Sequence, residues 1–152
     1  MNGSACLFDV NVWVALAFGS HSHHSHARRE FESADSGQPV AFCRATQHAF
    51  LRIITTPAVH QCYGSATITN DEAWEKWELL AALPQVIWLE EPKELETFWQ
   101  KHARLRSASP KVWMDAYLAA FACGHRIPLA TLDRDFGNFP GLSVKNLLAP
   151  IP

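Results

Sequence analysis

The feature that most constrains the fold is an alternation of short apolar runs with longer segments of helical periodicity. Runs this short and this apolar are typical of strands buried on both faces of a sheet. Strands that alternate with helices predict a parallel sheet covered by helices, so we expect an α/β fold, a three-layer α/β/α sandwich with a short central sheet. The predicted strands are residues 5–8, 40–42, 86–89 and 129–131, with 142–144 as a candidate fifth.

Local signals place the helices between these strands. Thr69, with Glu72 three positions later, predicts a capping box, and Ser109 before Pro110 predicts another helix start. Gly124 predicts the end of that last helix. Residues 56–69 are expected to be a loop, because a proline at position 57 disfavours continuation of the preceding helix. The helices are predicted at residues 10–17, 22–31, 45–54, 70–83, 94–104 and 110–123.

Composition limits the class of protein. A chain of 152 residues that is 48% hydrophobic can bury one core, so we expect a single domain over residues 1–152. Four cysteines without a C-x-x-C pair are typical of reduced thiols, and no apolar stretch is long enough to span a membrane, so a cytoplasmic protein is expected. The net charge of −2 does not indicate a general polyanion binder, so any RNA contact must come from a local patch or a metal ion.

Three aspartates occupy positions where ligands of such sheets bind. Asp9 directly follows the first strand, Asp133 follows the fourth, and Asp115 lies early in the helix before that strand. Ligands of open α/β sheets bind outside the carboxyl ends of the strands, so these side chains are expected to converge. Clustered carboxylates need a cation to remain ionised, and an all-oxygen site favours Mg²⁺ or Mn²⁺, ions that support phosphodiester hydrolysis.

Each aspartate also has a purely structural interpretation. Asp9 on its own is more simply explained as a helix cap, and Asp115 as a capping or solvent-facing residue. Asp133 and Asp135 are also typical turn residues. The coincidence of the three at strand ends favours the functional interpretation.

At these residues the chain resembles the PIN-domain family, and within it the VapC toxins of bacterial toxin–antitoxin systems. The resemblance implies an α/β/α fold, an Mg²⁺- or Mn²⁺-dependent endoribonuclease acting on RNA such as tRNA, and a homodimer. It also implies a small antitoxin that inserts a segment into a groove of the toxin. The matching stretches, in family order, are residues 7–16, 46–52 with 55–57, 114–120 and 129–136.

The resemblance also assigns roles by position. It implies that Asp9 and Asp115 are the principal metal ligands and catalytic residues, with Asp133 as a third and Asp135 assisting. Asn11 and Thr46 match positions that support the acidic cluster through hydrogen bonds. Arg52 matches a helix arginine of the VapC subgroup, and we interpret it as a substrate-binding residue.

Gln47 departs from the family pattern. It stands where the family carries a second acidic residue, and an amide offers a carbonyl ligand without charge. The metal site is therefore expected to be weaker, with Gln47 acting as a supporting residue. This substitution keeps open a second hypothesis: a weakly active or inactive PIN-like module that binds an antitoxin or RNA. A third, an aspartyl-phosphate phosphatase, is disfavoured because Asn11 occupies the place of its usual acid.

Basic and aromatic residues complete the candidates. Arg104, Arg106 and Lys111 precede the Asp115 helix and are interpreted as RNA phosphate contacts, with a solvated surface as the equal alternative. The six tryptophans are interpreted mostly as core or interface residues rather than base-stacking platforms. The histidine run at residues 21–26 suggests a surface helix start near the rim of the site or a dimer partner, and only adventitious metal binding.

Overall fold

A computed structural model describes residues 4–150, in which five short strands form one parallel sheet in the order β3-β2-β1-β4-β5. The chain alternates between this sheet and the helices that cover it. The strands are β1 Cys6–Phe8, β2 Val40–Phe42, β3 Val86–Trp88, β4 Leu129–Thr131 and β5 Val144–Asn146. The helices are α1 Val10–Ala17, α2 His24–Glu32, α3 Arg44–Ile54, α4 Pro57–Cys62, α5 Asn70–Ala81, α6 Leu95–Ala103 and α7 Val112–His125.

Both faces of the sheet are buried, which confirms the predicted three-layer α/β/α fold. Side chains alternate across a strand, so Phe8 and Leu7 of β1 point to opposite layers. Phe8 packs with Trp13 and Phe42, whose stacked rings have centroids 3.8 Å apart. Leu7 belongs to a second apolar cluster that includes Phe121 of α7.

The order of the strands places β1 in the middle of the sheet, between β2 and β4. Leu7 pairs with Ala41 on one side and with Leu129 on the other. If the same pairing is continued for two more residues, Asp9 lies beside Cys43 on one side and Thr131 on the other. Residues from three strand ends therefore meet at one edge of the sheet. This carboxyl edge of the sheet, defined by Asp9, Cys43 and Thr131, is the region in which the site was expected.

Several predicted boundaries are confirmed and others are wrong. The capping box is present, since the Thr69 hydroxyl accepts from the backbone of Glu72 and the Glu72 carboxylate accepts from the backbone of Thr69. The fifth strand exists but lies two residues later than predicted. The prediction of an uninterrupted loop at residues 56–69 is wrong, because Pro57 begins the short helix α4. Proline is favoured there because the first turn of a helix requires no backbone donor.

The predicted ends of α7 are also wrong. The helix starts at Val112, without a side-chain cap, and passes through Gly124 to His125. Arg126 provides the left-handed residue that ends it, at φ 56°. Gly124 instead permits close packing, since a Cβ atom there would lie 2.5 Å from Cγ of Pro92.

Within residues 4–150, no helix combines the length and apolar content required to cross a bilayer.

Candidate metal centre at the carboxyl edge of the sheet

Asp9 lies at the centre of the carboxyl edge, where β1 passes into α1. Its Oδ1 accepts a hydrogen bond from the backbone N–H of Val10 at 2.7 Å, so the residue does cap α1, as the structural interpretation suggested. Its Oδ2 accepts from the hydroxyl of Thr131 at 2.8 Å. Each carboxylate oxygen has two lone pairs, so each keeps one for a further partner. The cap and a ligand role are therefore compatible.

The carboxyl groups of Asp9, Asp115 and Asp133 influence one another electrostatically. Burial, and to a smaller extent the charges of Asp115 and Asp133, together raise the pKa of Asp9 to about 6, against two opposing hydrogen bonds. Burial and the charge of Asp133 likewise raise the pKa of Asp115. The three predicted aspartates thus lie close enough to interact electrostatically, and burial together with like charge disfavours ionisation of Asp9 and Asp115.

A divalent cation suits this donor set, because every available donor is an oxygen and a positive charge offsets the penalty on Asp9. Among residues 4–150, however, no three His, Cys, Asp or Glu side chains are close enough together to enclose an ion. Magnesium does not require such a cage, since it usually keeps several waters and takes one or two carboxylates. The site therefore fits an ion held by Asp9 and Asp115, with Asp133 nearby.

Thr131 connects the acidic residues, although the sequence did not single it out. Its hydroxyl oxygen accepts from Asn11 Nδ2 at 3.2 Å and from the backbone N–H of Asp133 at 3.1 Å, while its proton goes to Asp9. Asn11 also accepts from the backbone N–H of Leu132. Asn11 thus supports Asp9 as expected, but through Thr131. The signal that could have identified Thr131 is the pairing register of β1 with β4, which sets Thr131 beside Asp9.

Gln47 is buried and faces an arginine rather than the carboxylates. Its Oε1 accepts from Arg44 Nη1 at 2.5 Å. The Arg44 guanidinium also lies over the ring of Trp88, 4.5 Å from the centroid. Arg44 begins α3 directly after the carboxyl edge and is exposed. An uncharged acceptor and an aromatic face therefore orient this cation without neutralising it. No local pattern marks Arg44 as functional, because its partner Trp88 is 44 positions away.

Thr46 and Asp135 contribute less directly than expected. The Thr46 hydroxyl accepts from the N–H of Cys43 and donates to its carbonyl, which stabilises the turn from β2 into α3. It makes no hydrogen bond to an aspartate among the described residues. The Asp135 backbone N–H donates to Asp133 Oδ1 at 2.8 Å and orients that carboxylate, whereas the Asp135 side chain is exposed.

The predicted substrate-binding cations lie in two separate regions. Arg104, Arg106 and Lys111 are exposed on the segment between α6 and α7, just before the helix that carries Asp115. Arg52 lies eight residues along α3 from Arg44, about 12 Å at the rise of an α-helix. It lines a small hollow with Trp74 of α5. The first three cations thus lie on the segment that leads into the helix carrying Asp115, whereas Arg52 lies near the other end of α3 from Arg44.

The histidine run does not form a metal centre within the described residues. His24 Nδ1 lies 2.8 Å from the carbonyl oxygen of Ala15, and the backbone N–H of His23 donates to His21 Nδ1. Burial and the neighbouring histidines lower the pKa of His21. The contact of His24 joins the start of α2 to the end of α1. The histidine run thus forms the start of a helix at the surface.

Comparison with known proteins agrees with this geometry. The sequence pattern of the PIN domain matches residues 6–142. The chain is 39% identical over 142 residues to a protein of Mycobacterium tuberculosis named Ribonuclease VapC41, covering 93% of this chain and 97% of the relative. It is 28% identical over 148 residues to Ribonuclease VapC31 of the same species, covering 95% and 99%.

Two solved structures share the fold. One, described as VapBC-1 from nontypeable Haemophilus influenzae, has a TM-score of 0.67 at 14% identity and covers 95% of this chain and 99% of its own. The other, described as the Sarcin-Ricin loop cleaving toxin VapC20 of Mycobacterium tuberculosis, has a TM-score of 0.60 at 16% identity and covers 86% and 92%. At these identities the likeness shows the arrangement of the sheet and helices.

Proposed function

The chain belongs to the PIN-domain family, and from that premise we propose that it is a metal-dependent endoribonuclease, the toxin of a VapBC-type toxin–antitoxin pair. The observation that carries the proposal is Asp9, a buried carboxylate at the carboxyl edge of the sheet whose pKa is raised by burial and by the charges of Asp115 and Asp133. Two relatives that match nearly the whole chain are named ribonucleases, which supports the same activity.

In the proposed reaction, Asp9 and Asp115 would hold Mg²⁺ or Mn²⁺, with Asp133 nearby as the third acidic residue. When bound, such an ion supplies a hydroxide nucleophile at neutral pH and offsets the charge that develops on the phosphodiester oxygens. Thr131 donates to Asp9 and keeps its carboxylate in one orientation, and Asn11 holds Thr131. The backbone N–H of Asp135 orients Asp133. These contacts preorganise the carboxylates before the substrate arrives.

Exposed cations would bind the RNA backbone on either side of the scissile bond. Arg44 adds a guanidinium oriented by Gln47 and Trp88 on one side. Arg104, Arg106 and Lys111 add charge on the other. Such contacts supply affinity without sequence information. The proposed substrate class is a structured RNA such as tRNA.

The proposed partners follow from the family and its solved complexes. Matched structures include DNA-bound VapBC complexes and a toxin–antitoxin complex from Klebsiella pneumoniae. We therefore propose a small antitoxin as the partner. We also propose a homodimer, a single PIN domain over residues 1–152 and a cytoplasmic location.

A cleavage assay tests the activity. Purified protein is incubated with RNA and Mn²⁺ or Mg²⁺, beside the variants Asp9→Asn, Asp115→Asn and, as a matched control, Asp71→Asn on the exposed first turn of α5. We expect cleavage by wild type and the control, abolition by chelation, and a rate at least a hundredfold lower for the two site variants. Equal cleavage by all four proteins would identify a contaminating nuclease and refute the proposal.

The alternative function is a PIN-like module that binds without catalysis. The observation that favours it is neutral Gln47, committed to Arg44 rather than to an ion. Calorimetric titration with Mn²⁺ separates the two functions. A working nuclease should bind Mn²⁺ in the low millimolar range or more tightly and lose this binding in Asp9→Asn. Antitoxin binding without Mn²⁺ affinity or RNA cleavage would favour the module.

A further inference from the structure

An open cleft of about 890 Å³ lies between α6, α7 and the segment that joins them. Three aromatic rings form its wall. Trp99 packs edge-to-face against Trp113, with centroids 6.3 Å apart, and edge-to-face against Tyr117, with centroids 5.3 Å apart. Trp113 is nevertheless 59% exposed. A tryptophan so open to solvent contributes little to the core, and its ring is available to a ligand.

Two of the three rings of this aromatic cleft, which is defined by Trp99, Trp113 and Tyr117, are held in place before any ligand binds. Trp99 Nε1 donates to the backbone carbonyl of Trp113 at 3.1 Å. The Tyr117 hydroxyl donates to Glu91 Oε1 at 2.9 Å. These bonds satisfy the polar atoms of two rings and restrict their rotation, so a flat ligand would meet an ordered wall at a low entropic cost.

A row of polar groups along α6 also lines the cleft. Gln100 Nε2 donates to Glu96 Oε1 at 3.1 Å, and Arg104 Nη2 donates to Gln100 Oε1 at 3.2 Å. The three residues are one helical turn apart and line the cleft together with the aromatic rings. Acceptors and donors thus stand beside aromatic faces, a combination that suits a nucleobase, which is flat and carries polar atoms on its edge.

The position of the cleft favours RNA over a peptide. Trp113 precedes Asp115 by two residues on α7, about 3 Å along the helix axis. The cleft and the acidic site are therefore reached from opposite sides of the same helical turn. Arg104 lines the cleft beside the carboxylates of Glu91 and Glu96, and Arg106 and Lys111 lie on the adjoining segment. Within residues 4–150 none of the three cations forms a salt bridge with a carboxylate. Free positive charge beside an aromatic wall is complementary to a polyanion that carries bases.

We propose that the aromatic cleft is a base-binding subsite, which holds one unstacked base of a single-stranded RNA segment while its backbone crosses the first turn of α7 toward the acidic site. The inference rests on the proposed function, because it assigns an RNA substrate to that site. It revises the interpretation of the tryptophans as core or interface residues in the case of Trp113. Stacking against this ring selects for an unpaired nucleotide near the cleaved bond rather than for a particular sequence.

The test measures binding without cleavage. Anisotropy of labelled hexaribonucleotides is followed in a chelator with the Asp9→Asn protein, using an intact oligomer and a set with one abasic position each. Trp113→Ala removes the stacking surface, and Trp113→Phe restores a ring. Leu79→Ala is the matched control, because Leu79 is also an exposed apolar side chain, 72% exposed, on α5.

We expect one abasic position to weaken binding on the order of tenfold, as loss of one stacked base predicts. Trp113→Ala should weaken binding of the intact oligomer by a similar factor. In this variant the abasic position should cause no further loss of affinity. Trp113→Phe and Leu79→Ala should bind the intact and abasic oligomers as the parent protein does. Additive effects of the two changes would overturn the subsite. Loss of antitoxin binding in Trp113→Ala with unchanged RNA binding would also overturn it, in favour of a peptide site.

Because no cleavage is measured, failure of the subsite is distinguishable from failure of the proposed nuclease. Coupling between Trp113 and one base would support the subsite even in a protein that does not cleave. Cleavage by the wild-type protein with no such coupling would leave the nuclease standing and refute the subsite.

Discussion

At the scale of single residues, the hydroxyl of Thr131 organises the candidate site. It makes three hydrogen bonds, to Asp9, to Asn11 and to the backbone of Asp133. A hydroxyl group can donate one hydrogen bond and accept two, so these three bonds use its full hydrogen-bonding capacity. The proton is directed to Asp9 because the other two partners are donors. Thr131 therefore acts as a positioning residue for the buried carboxylate.

We predict that Thr131→Val weakens Mn²⁺ binding by about 10- to 100-fold, the usual cost of losing a partner that orients a metal ligand. Thr131→Ser keeps the hydroxyl and should bind Mn²⁺ nearly as wild type does. Isothermal titration at one pH measures both affinities. If the valine variant binds Mn²⁺ as tightly as the serine variant, the hydroxyl does not position Asp9.

Arg44 is a second residue whose role depends on its surroundings. We predict that Arg44→Gln lowers the affinity of the non-cleaving Asp9→Asn protein for single-stranded RNA and reduces the slope of log affinity against log salt by about 0.7, the value for one lost phosphate contact. Anisotropy at several salt concentrations measures this slope.

Two further variants make the Arg44 prediction specific. Arg28→Gln is the matched control, because Glu32 already neutralises Arg28 at 2.6 Å. Gln47→Glu should imitate Arg44→Gln, since a carboxylate in place of the amide would pair with the guanidinium. An unchanged salt slope in both Arg44→Gln and Gln47→Glu would contradict a phosphate contact at this position.

At the scale of elements, α7 links the acidic site to the aromatic cleft, and its packing depends on one glycine. A Cβ atom at position 124 would lie 2.5 and 2.8 Å from two ring carbons of Pro92. The proline ring cannot rotate away, so the neighbouring backbone would have to move. The close approach explains why a residue with poor helix propensity lies inside α7.

We predict that Gly124→Ala destabilises the protein on the order of 1 kcal/mol. Helix propensity would favour alanine by about 1 kcal/mol, but overpacking costs about 1–3 kcal/mol, and the second effect should prevail. Urea denaturation measures the difference. Gly19→Ala is the control, because a Cβ atom at position 19 meets nothing within 4 Å. Equal midpoints for the two variants would show that α7 shifts at little cost.

The start of α5 offers a test that depends on pH. The hydrogen bond from the backbone N–H of Thr69 lowers the pKa of the Glu72 carboxylate. A carboxylate with a lowered pKa stabilises the folded state above its unfolded pKa, and this contribution disappears as the pH falls through the folded value. We therefore predict that Glu72→Ala reduces the urea midpoint at pH 7 and has a smaller effect at pH 3.

Thr69→Ala removes the other half of the capping box and should cost about 1 kcal/mol at pH 7. Thr67→Ala, in the preceding exposed segment, is the control and should leave the midpoint unchanged. A constant difference between wild type and Glu72→Ala from pH 7 to pH 3 would show that the charge of the carboxylate does not matter.

At the scale of the whole molecule, the strand order determines which residues can meet. Because β1 lies between β2 and β4, the chain from residues 9, 43 and 131 reaches the same edge. The resulting concentration of negative charge opposes folding unless a cation offsets it. Under the proposed function, stability and activity would therefore be coupled through the ion.

We predict that Mn²⁺ raises the free energy of unfolding of wild type by about 1.4 kcal/mol at ten times its Kd, as linkage requires for one site. Chelation should reverse the effect, and Asp9→Asn should abolish it. Urea denaturation with and without the ion provides the measurement, with Asp71→Asn as the control that keeps the shift. A similar shift in Asp9→Asn would indicate binding elsewhere.

Local sequence patterns were sufficient to predict most of the helices and strands and the α/β class. Apolar runs too short for helices predicted the strands, and the signals at Thr69 and Glu72 predicted the start of α5, because capping depends on residues three positions apart. The same local patterns could not distinguish a proline that ends a helix from one that begins the next, so α4 was missed. Nor could they show that Gly124 serves packing rather than termination.

The contacts between residues that are distant along the chain follow from the packing of the folded protein. Thr131 lies 122 positions from Asp9, and the sequence does not state that their strands are neighbours in register. Arg44 is oriented by Trp88 and Gln47, and the aromatic cleft joins residues of two helices. Hydrogen bonds, stacking and charge act over a few ångströms in space, whereas a residue pattern records separation along the chain. The predicted aspartates came from the pattern, and their orientation and surroundings came from the packing of the sheet.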